Sequence, residues 1–252
     1  MDAHLSQFAF HFLLGGLLGY LSGTMGTGGG LIVLPLFTLV FGMDQQAAQG
    51  TSLAVMTPNL IIGFWRYRQR NPITLRMAAY VGVGAMVASY VAARIATEMS
   101  GQLLRVMVAL FMAGLACNMF WRNVTSSHGP SSRTIAPEWM LSLAGIFGGS
   151  CAGFFTIGGG VMSVPLLTAY FGLTQTAAQG LAQAMMLPGS LVALFIYSHL
   201  GLVNWAVCIP MSIGSALTIS HGVELAHRLP ERKLRAIFAV MLLASAGMML
   251  MR

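Results

Sequence analysis

Charge is scarce in this sequence: only 8% of its 252 residues are Asp, Glu, Lys or Arg, against about 25% in an ordinary soluble domain. With 56% hydrophobic residues besides, the chain cannot clothe a globule in polar side chains, which excludes an ordinary soluble fold. Catalytic signatures are missing as well. There is no HExxH, no GxSxG, no Walker A lysine behind a glycine cluster, and no His and Cys grouping with zinc spacing. No catalytic residue, metal or cofactor is therefore expected. The three cysteines, Cys117, Cys151 and Cys208, stand far apart inside apolar segments without a CxxC, and read as small buried hydrophobes. The start, MDAHLSQFAF, has neither a basic n-region nor a small-residue cleavage site, so the first apolar stretch is expected to stay as a helix.

What is present in their place is length of apolar sequence. The runs 8–21, 77–93, 103–120 and 205–219 are each suited to lipid, so the chain reads as a polytopic membrane protein. Its net charge of +7 does not point to nucleic acid, because no nucleic-acid-binding pattern accompanies it and the basic residues sit in short loops.

Glycine is clustered, and the clusters repeat. Gly23-Thr24-Met25-Gly26-Thr27-Gly28-Gly29-Gly30 precedes LIVLPLFTLVF, and 130 residues later Gly153 to Gly160 precedes VMSVPLLTAYF, with Pro35 and Pro165 in register. Aligned without a gap, 15–67 and 145–197 share 20 identities in 53 positions, among them Ala47-Ala48-Gln49-Gly50, Pro58 and Tyr67. The chain divides into a first copy (1–122), a Ser, Gly and Pro-rich linker (123–139) and a second copy (140–252).

Each copy carries about five apolar segments. In the first, a helix from Phe8 to Thr24 meets the glycine break, and a run of 13 residues, 30–42, follows. At 1.5 Å per residue that run reaches about 20 Å, short of the roughly 30 Å hydrocarbon core, so it reads as a half-helix. A helix capped by Asp44 (Thr174 in the second copy) then runs to about Trp65 through Pro58, and helices over about 74–96 and 102–121 complete the copy. An odd number of segments inserts the second copy upside down. The arginines agree: Arg66, Arg68, Arg70 and Arg76 follow Trp65, whereas the matching loop, 197–204, has no Lys or Arg. Placing both termini outside puts ten basic residues in the cytoplasm and three outside. The expected fold class is thus an all-α polytopic membrane protein of two inverted repeats, with paired short or broken half-helices at the glycine breaks.

A glycine break in matching segments of two inverted halves is the sequence pointer to a transporter's binding site. Bare backbone is tolerated at membrane depth only inside protein or beside a wet cavity, and helix N-termini there favour anions. The candidate substrate-binding residues are the triple glycines Gly28, Gly29, Gly30 and Gly158, Gly159, Gly160, with Thr24, Thr27, Gln49, Thr51, Ser52, Asn59, Thr156, Gln179 and Gln183 beside the breaks or on the following helices. Gln49, Ser52 and Asn59 share a helical face, and a polar stripe in lipid should face protein or a pathway. Gly15, Gly19 and Gly23, at four-residue spacing, fit close helix packing instead. No acid falls at the centre of a segment, so no buried carboxylate relay for proton coupling is evident.

At GYLSGTMGTGGGLIVLPLF, QGTSLAV and GGSCAGFFTIGGGVMSVPLL the chain resembles the TauE/SafE family of sulfite and organosulfur anion exporters. The resemblance covers both copies. It implies an inner-membrane anion permease for sulfite, sulfoacetate or a related sulfur compound. Together with the glycine breaks this gives the expectation of a carrier in the bacterial inner membrane that exports such an anion by alternating access, with the lipid bilayer and a small anion as its partners, no nucleic acid, and a homodimer as one assembly open to it. The family's Thr-Ser element occurs once, at Thr51-Ser52, where the second copy has Leu181-Ala182. Alternatives are an anion channel or importer, or an intramembrane sulfur-relay protein using Cys151.

Overall fold

The computed structural model describes residues 2–25, 28–71, 73–125, 138–156, 163, 164, 167, 171–226, 228, 240, 243, 246 and 247. All regular structure among them is helical. In chain order the helices are α1 (Asp2–Met25), α2 (Gly30–Leu39), α3 (Gln45–Arg70), α4 (Leu75–Glu98), α5 (Gly101–Thr125), α6 (Leu141–Phe155), α7 (Gln175–His199) and α8 (Trp205–Ala226), with a 3-10 turn at Glu138–Met140. The helices expected in the first copy are present, as are three of the second copy, over 141–155, 175–199 and 205–226; the last helix expected in the second copy lies largely outside the described residues. The one after the first break runs five residues past Trp65, to Arg70, because nothing in WRYRQR breaks a helix before Asn71 turns extended.

The ends obey local chemistry. Thr74 and Thr174 each accept a hydrogen bond from the backbone N–H three residues on, capping α4 and α7. Asp44, the expected cap of α3, occupies the N-cap position but makes no side-chain cap bond. Helix α2 is only 10 residues long, about 15 Å, so the half-helix expected after Gly30 is there. Its counterpart falls largely outside the described residues, where Ser163, Val164, Leu167 and Phe171 are helical positions.

Among the described residues, four stretches are long and apolar enough to cross a membrane, Leu5–Thr24, Leu75–Glu98, Thr176–His199 and Trp205–Ala226. They differ in burial: 22% of the Leu5–Thr24 window is buried but 67% of the Thr176–His199 window. Helices α3 and α7 thus form the centre, and α1, α4 and α8 turn residues such as Leu13, Leu17, Val83, Val87 and Leu217 outward, as lipid contact requires. Helix α3 is the more polar of the central pair; its Gln45, Gln49, Thr51, Ser52, Thr57 and Asn59 are buried, while Gln46 is half-buried.

Packing fixes the helix directions. A Cβ added at Gly15, Gly19 or Gly23 would strike the backbone of Met211, Ser215 or Ile219 in turn, so α1 and α8 lie in close contact and run the same way. Close approach through small residues is what gains dispersion contact between helices in lipid, and the packing role expected for these three glycines is met. Gly145, Gly149 and Gly153 meet Val81, Ala85 and Ser89 in the same manner, making α6 parallel to α4. Each of these six contacts becomes another when 130 is added to one member and subtracted from the other. Helix α3 runs with α8, since Ala54, Asn59 and Arg66 bond Ser212, Ser215 and Ser220. It runs against α4, since Gln46 near its start donates to the carbonyls of Thr97 and Met99. It also runs against α7, where Gly50 meets Tyr197 and Gly63 meets Gln183. Helices α1, α3 and α8 therefore point one way and α4, α6 and α7 the other.

Candidate functional site

The first glycine break turns on two left-handed residues, Gly28 (φ 70°) and Gly29 (φ 96°), a conformation costly for any residue with a Cβ. Gly29 then opens α2, its carbonyl accepting from the amides of Ile32 and Val33 at 3.0 and 3.1 Å. All three glycines, Gly28, Gly29 and Gly30, are buried. Around them stand side chains from three helices: Leu60 and Met186 beside Gly28, Ser22 beside Gly29, Met56 beside Gly30.

The second break comes to the same place. Helix α6 ends at Thr156, which is left-handed at φ 58° although it is not glycine, and whose amide donates to Ala152. A Cβ on Gly30 would collide with the Thr156 carbonyl. The two breaks, 126 residues apart by number from Gly30 to Thr156, touch. Gly158, Gly159 and Gly160 lie outside the described residues, as does Thr27.

Polar atoms without a protein partner gather on the helices flanking this junction. Among the described residues, the hydroxyls of Ser22, Ser52, Thr156 and Ser163, the amide oxygen of Asn59 and both amide atoms of Gln183 are buried and accept or donate no hydrogen bond. A buried polar atom left so costs about 1–3 kcal/mol, and native proteins keep few of them. Ser52, Met56, Asn59 and Gly63 recur at intervals of four, three and four on α3, one helical face about 17 Å long. Gly63 admits the Gln183 side chain from α7, and Asn59 donates to the Ser215 hydroxyl on α8. Gln45, also unpartnered, is the first residue of α3, a turn beyond Gln49 and away from the junction.

The sequence-expected residues divide by what their side chains do. Thr24 donates to Leu21 at 2.7 Å within its own helix, and the Thr51 hydroxyl accepts from the Asn204 amide at 3.0 Å, holding the start of α8. Gln49 is fully engaged: its amide donates to the Phe154 carbonyl at 3.3 Å and accepts from the Tyr197 hydroxyl at 2.6 Å. Gln179 is buried on α7. Ser52, Asn59, Thr156 and Gln183 keep polar atoms unclaimed.

Four contributors were not among the expected residues. Ser22 and Ser163 add bare hydroxyls, and Tyr67 and Tyr197 tie the helix ends that precede the breaks. The Tyr67 hydroxyl donates to the Gly23 carbonyl at 3.1 Å; Tyr197 acts on Phe154 through Gln49. Their identity at matching places in the two copies was the available signal. Ser22 and Ser163 have Ala152 and Val33 as counterparts, so the repeat gave no sign of them.

Comparison with known proteins gives a consistent result. The sequence profile of the family described as "Sulfite exporter TauE/SafE" matches residues 11–249. A "Probable membrane transporter protein" of Xylella fastidiosa (strain Temecula1) is 26% identical over 238 residues, 92% of this chain and 90% of its own length. "Probable membrane transporter protein YdhB" of Bacillus subtilis (strain 168) is 25% identical over 238 residues, 93% of this chain and 96% of its own.

Proposed function

The chain belongs to the sulfite exporter TauE/SafE family of membrane transporters, and from that premise we propose that it exports a small sulfur-containing anion, sulfite or an organosulfonate, by alternating access. The observation that carries this reading is the junction of the two breaks, where Gly30 meets Thr156 beside helices carrying unclaimed buried hydroxyls and amides. The hydroxyls and the Gln183 Nε2 can donate to an oxyanion, which accepts hydrogen bonds on every oxygen. The first amides of α2 add donors and the positive end of a helix dipole.

The proposed architecture is an inverted repeat in the bacterial inner membrane with both termini outside. Support comes from the exchange of contacts under a 130-residue shift and from α6 running against α1, the corresponding helix of the other copy. Under this reading the two tyrosine ties are gates. Tyr67 holds the end of α1 on one side of the membrane; Gln49, fixed by Tyr197, holds the end of α6 on the other. The two lie 18 residues apart on α3, about 27 Å, and release of one at a time would open the junction to one side at a time. Gln49 then serves as a gate rather than as a ligand.

Among the described residues, the donors beside the junction are neutral. The anion's charge would cross uncompensated, and an inside-negative potential of about 100 mV contributes about 2.3 kcal/mol per charge to export. Efflux from proteoliposomes loaded with sulfite or sulfoacetate tests this. Flux should rise with an imposed inside-negative potential and show counterflow; flux that needs a pH gradient and ignores the potential would remove the uniport mechanism. Lack of counterflow would favour the channel. In a Cys151→Ser variant the carrier keeps its flux, whereas a thiol relay loses it.

A further inference from the structure

Two open grooves of nearly equal volume, about 450 and about 460 Å³, flank the central helices. The first is lined by Ile61, Ile62, Phe64, Trp65, Arg66, Gln69 and Leu187. The second is lined by Leu191, Leu194, Phe195, Ser198, His199 and Trp205. Ile61, Phe64, Trp65 and Gln69 correspond, at 130 residues' separation, to Leu191, Leu194, Phe195 and His199. The fold has made the same apolar groove twice, at the C-terminal ends of α3 and α7.

Their charge differs. Arg66, Arg68 and Arg70 have Ile196, Ser198 and Leu200 as counterparts. In the first groove Arg66 lines the wall and donates from Nε to the Ser220 hydroxyl at 3.2 Å, leaving its two terminal nitrogens directed elsewhere. The Arg68 guanidinium sits 5.6 Å from the centre of the Trp65 ring that forms the wall. No carboxylate pairs with Arg66, Arg68 or Arg70 among the described residues, and Glu224, one turn beyond Ser220, is taken by Arg228 at 2.8 Å. From Ile61 to Gln69 the groove runs about 12 Å along the helix, apolar and lipid-exposed at one end and cationic at the other.

We propose that this groove binds one anionic phospholipid, its headgroup phosphate on Arg66 and Arg68 and its acyl chain along Ile61, Phe64 and Leu187. The order of the lining matches an amphiphile lying along the membrane normal, with guanidinium donors suited to phosphate and an indole at the boundary. The second groove, nearly equal in size and lined by no Arg or Lys, holds acyl chains without selecting a headgroup. The proposal needs only that the protein sits in a membrane, and it stands or falls independently of the transported anion.

Native mass spectrometry of the detergent-solubilised protein, titrated separately with phosphatidylglycerol and phosphatidylcholine of the same chains, tests it. Phosphatidylglycerol should be retained at least tenfold more strongly, as one copy per chain. Each arginine near an anionic headgroup contributes about fivefold, so Arg66→Gln with Arg68→Gln should lower retention about 25-fold, while Phe195→Ala with His199→Ala should change nothing. Should the double arginine variant fail to fold, Arg68→Gln alone carries the test, with a fivefold loss expected. Equal retention of both lipids, indifference to the arginine variants, displacement by soluble glycerol phosphate, or a lipid-free dimer would each overturn it.

Discussion

Two glutamines separate the roles that residues take in this core. Gln49 spends both ends of its amide on Tyr197 and Phe154, whereas neither amide atom of Gln183 has a protein partner although the residue is fully buried. Replacing an unsatisfied buried amide by an apolar group of similar shape is neutral or stabilising, by up to about 1–3 kcal/mol. Gln183→Leu is therefore expected to keep or raise the unfolding temperature while lowering transport at least tenfold, by removing donors from the proposed site. Thermal melting and proteoliposome flux on the same preparation check it; a stable variant with normal flux would return Gln183 to mere packing. Tyr197→Phe should do the opposite. It strips the bond that fixes Gln49, costing about 1–3 kcal/mol, and should shift the protein toward opening on that side, read as faster maleimide labelling of a cysteine placed at Phe154.

At the scale of elements, glycine does two jobs that look alike in the sequence. On α1 it is absent side-chain volume: a Cβ at Gly19 lands on the backbone of Ser215, which cannot step aside. Gly19→Ala should thus cost at least the 1–3 kcal/mol of an overpacked core, seen as a lowered melting temperature and yield. Gly114, inside α5, has nothing within 4 Å of an added Cβ, so Gly114→Ala should be tolerated or gain about 0.5–1 kcal/mol. At Gly28 and Gly29 the requirement is conformational, since both have positive φ. The four-residue spacing distinguished the first kind and the triple run the second. What the spacing left open was the partner helix, because a small-residue stripe fits any neighbour of matching curvature, and here that neighbour is α8.

The whole molecule is ordered by direction. Helices α1, α3 and α8 run opposite to α4, α6 and α7, so positions 130 apart at helix ends should emerge on opposite sides of the membrane. Arg70 and Leu200 are such a pair, both exposed. With Cys117, Cys151 and Cys208 replaced, a cysteine at Leu200 should react with an impermeant maleimide in intact cells, and one at Arg70 only after permeabilisation. Labelling of both from the same side would refute the inversion. The proposed orientation rests on the arginine loops: cations favour the cytoplasmic side, and Arg66, Arg68, Arg70 and Arg76 follow α3 where the matching loop, 197–204, has no Lys or Arg.

Composition and periodicity alone determined that the chain enters a membrane, that it is helical, and that it is built twice, because apolar length, proline and glycine placement and a 130-residue register are properties of the string. They also determined that Gly30 begins a short helix. Only the tertiary structure decided which polar groups are spent and which are spare. Gln49 and Thr51 look as available in the sequence as Ser52 and Gln183, yet the first two bind other helices and the last two bind no protein group. The physical reason is that a hydrogen-bond partner can come from anywhere in the fold: Phe154 lies 105 residues from Gln49, and Tyr197 lies 148. Partners at that range are chosen by how helices pack, and no local pattern encodes them.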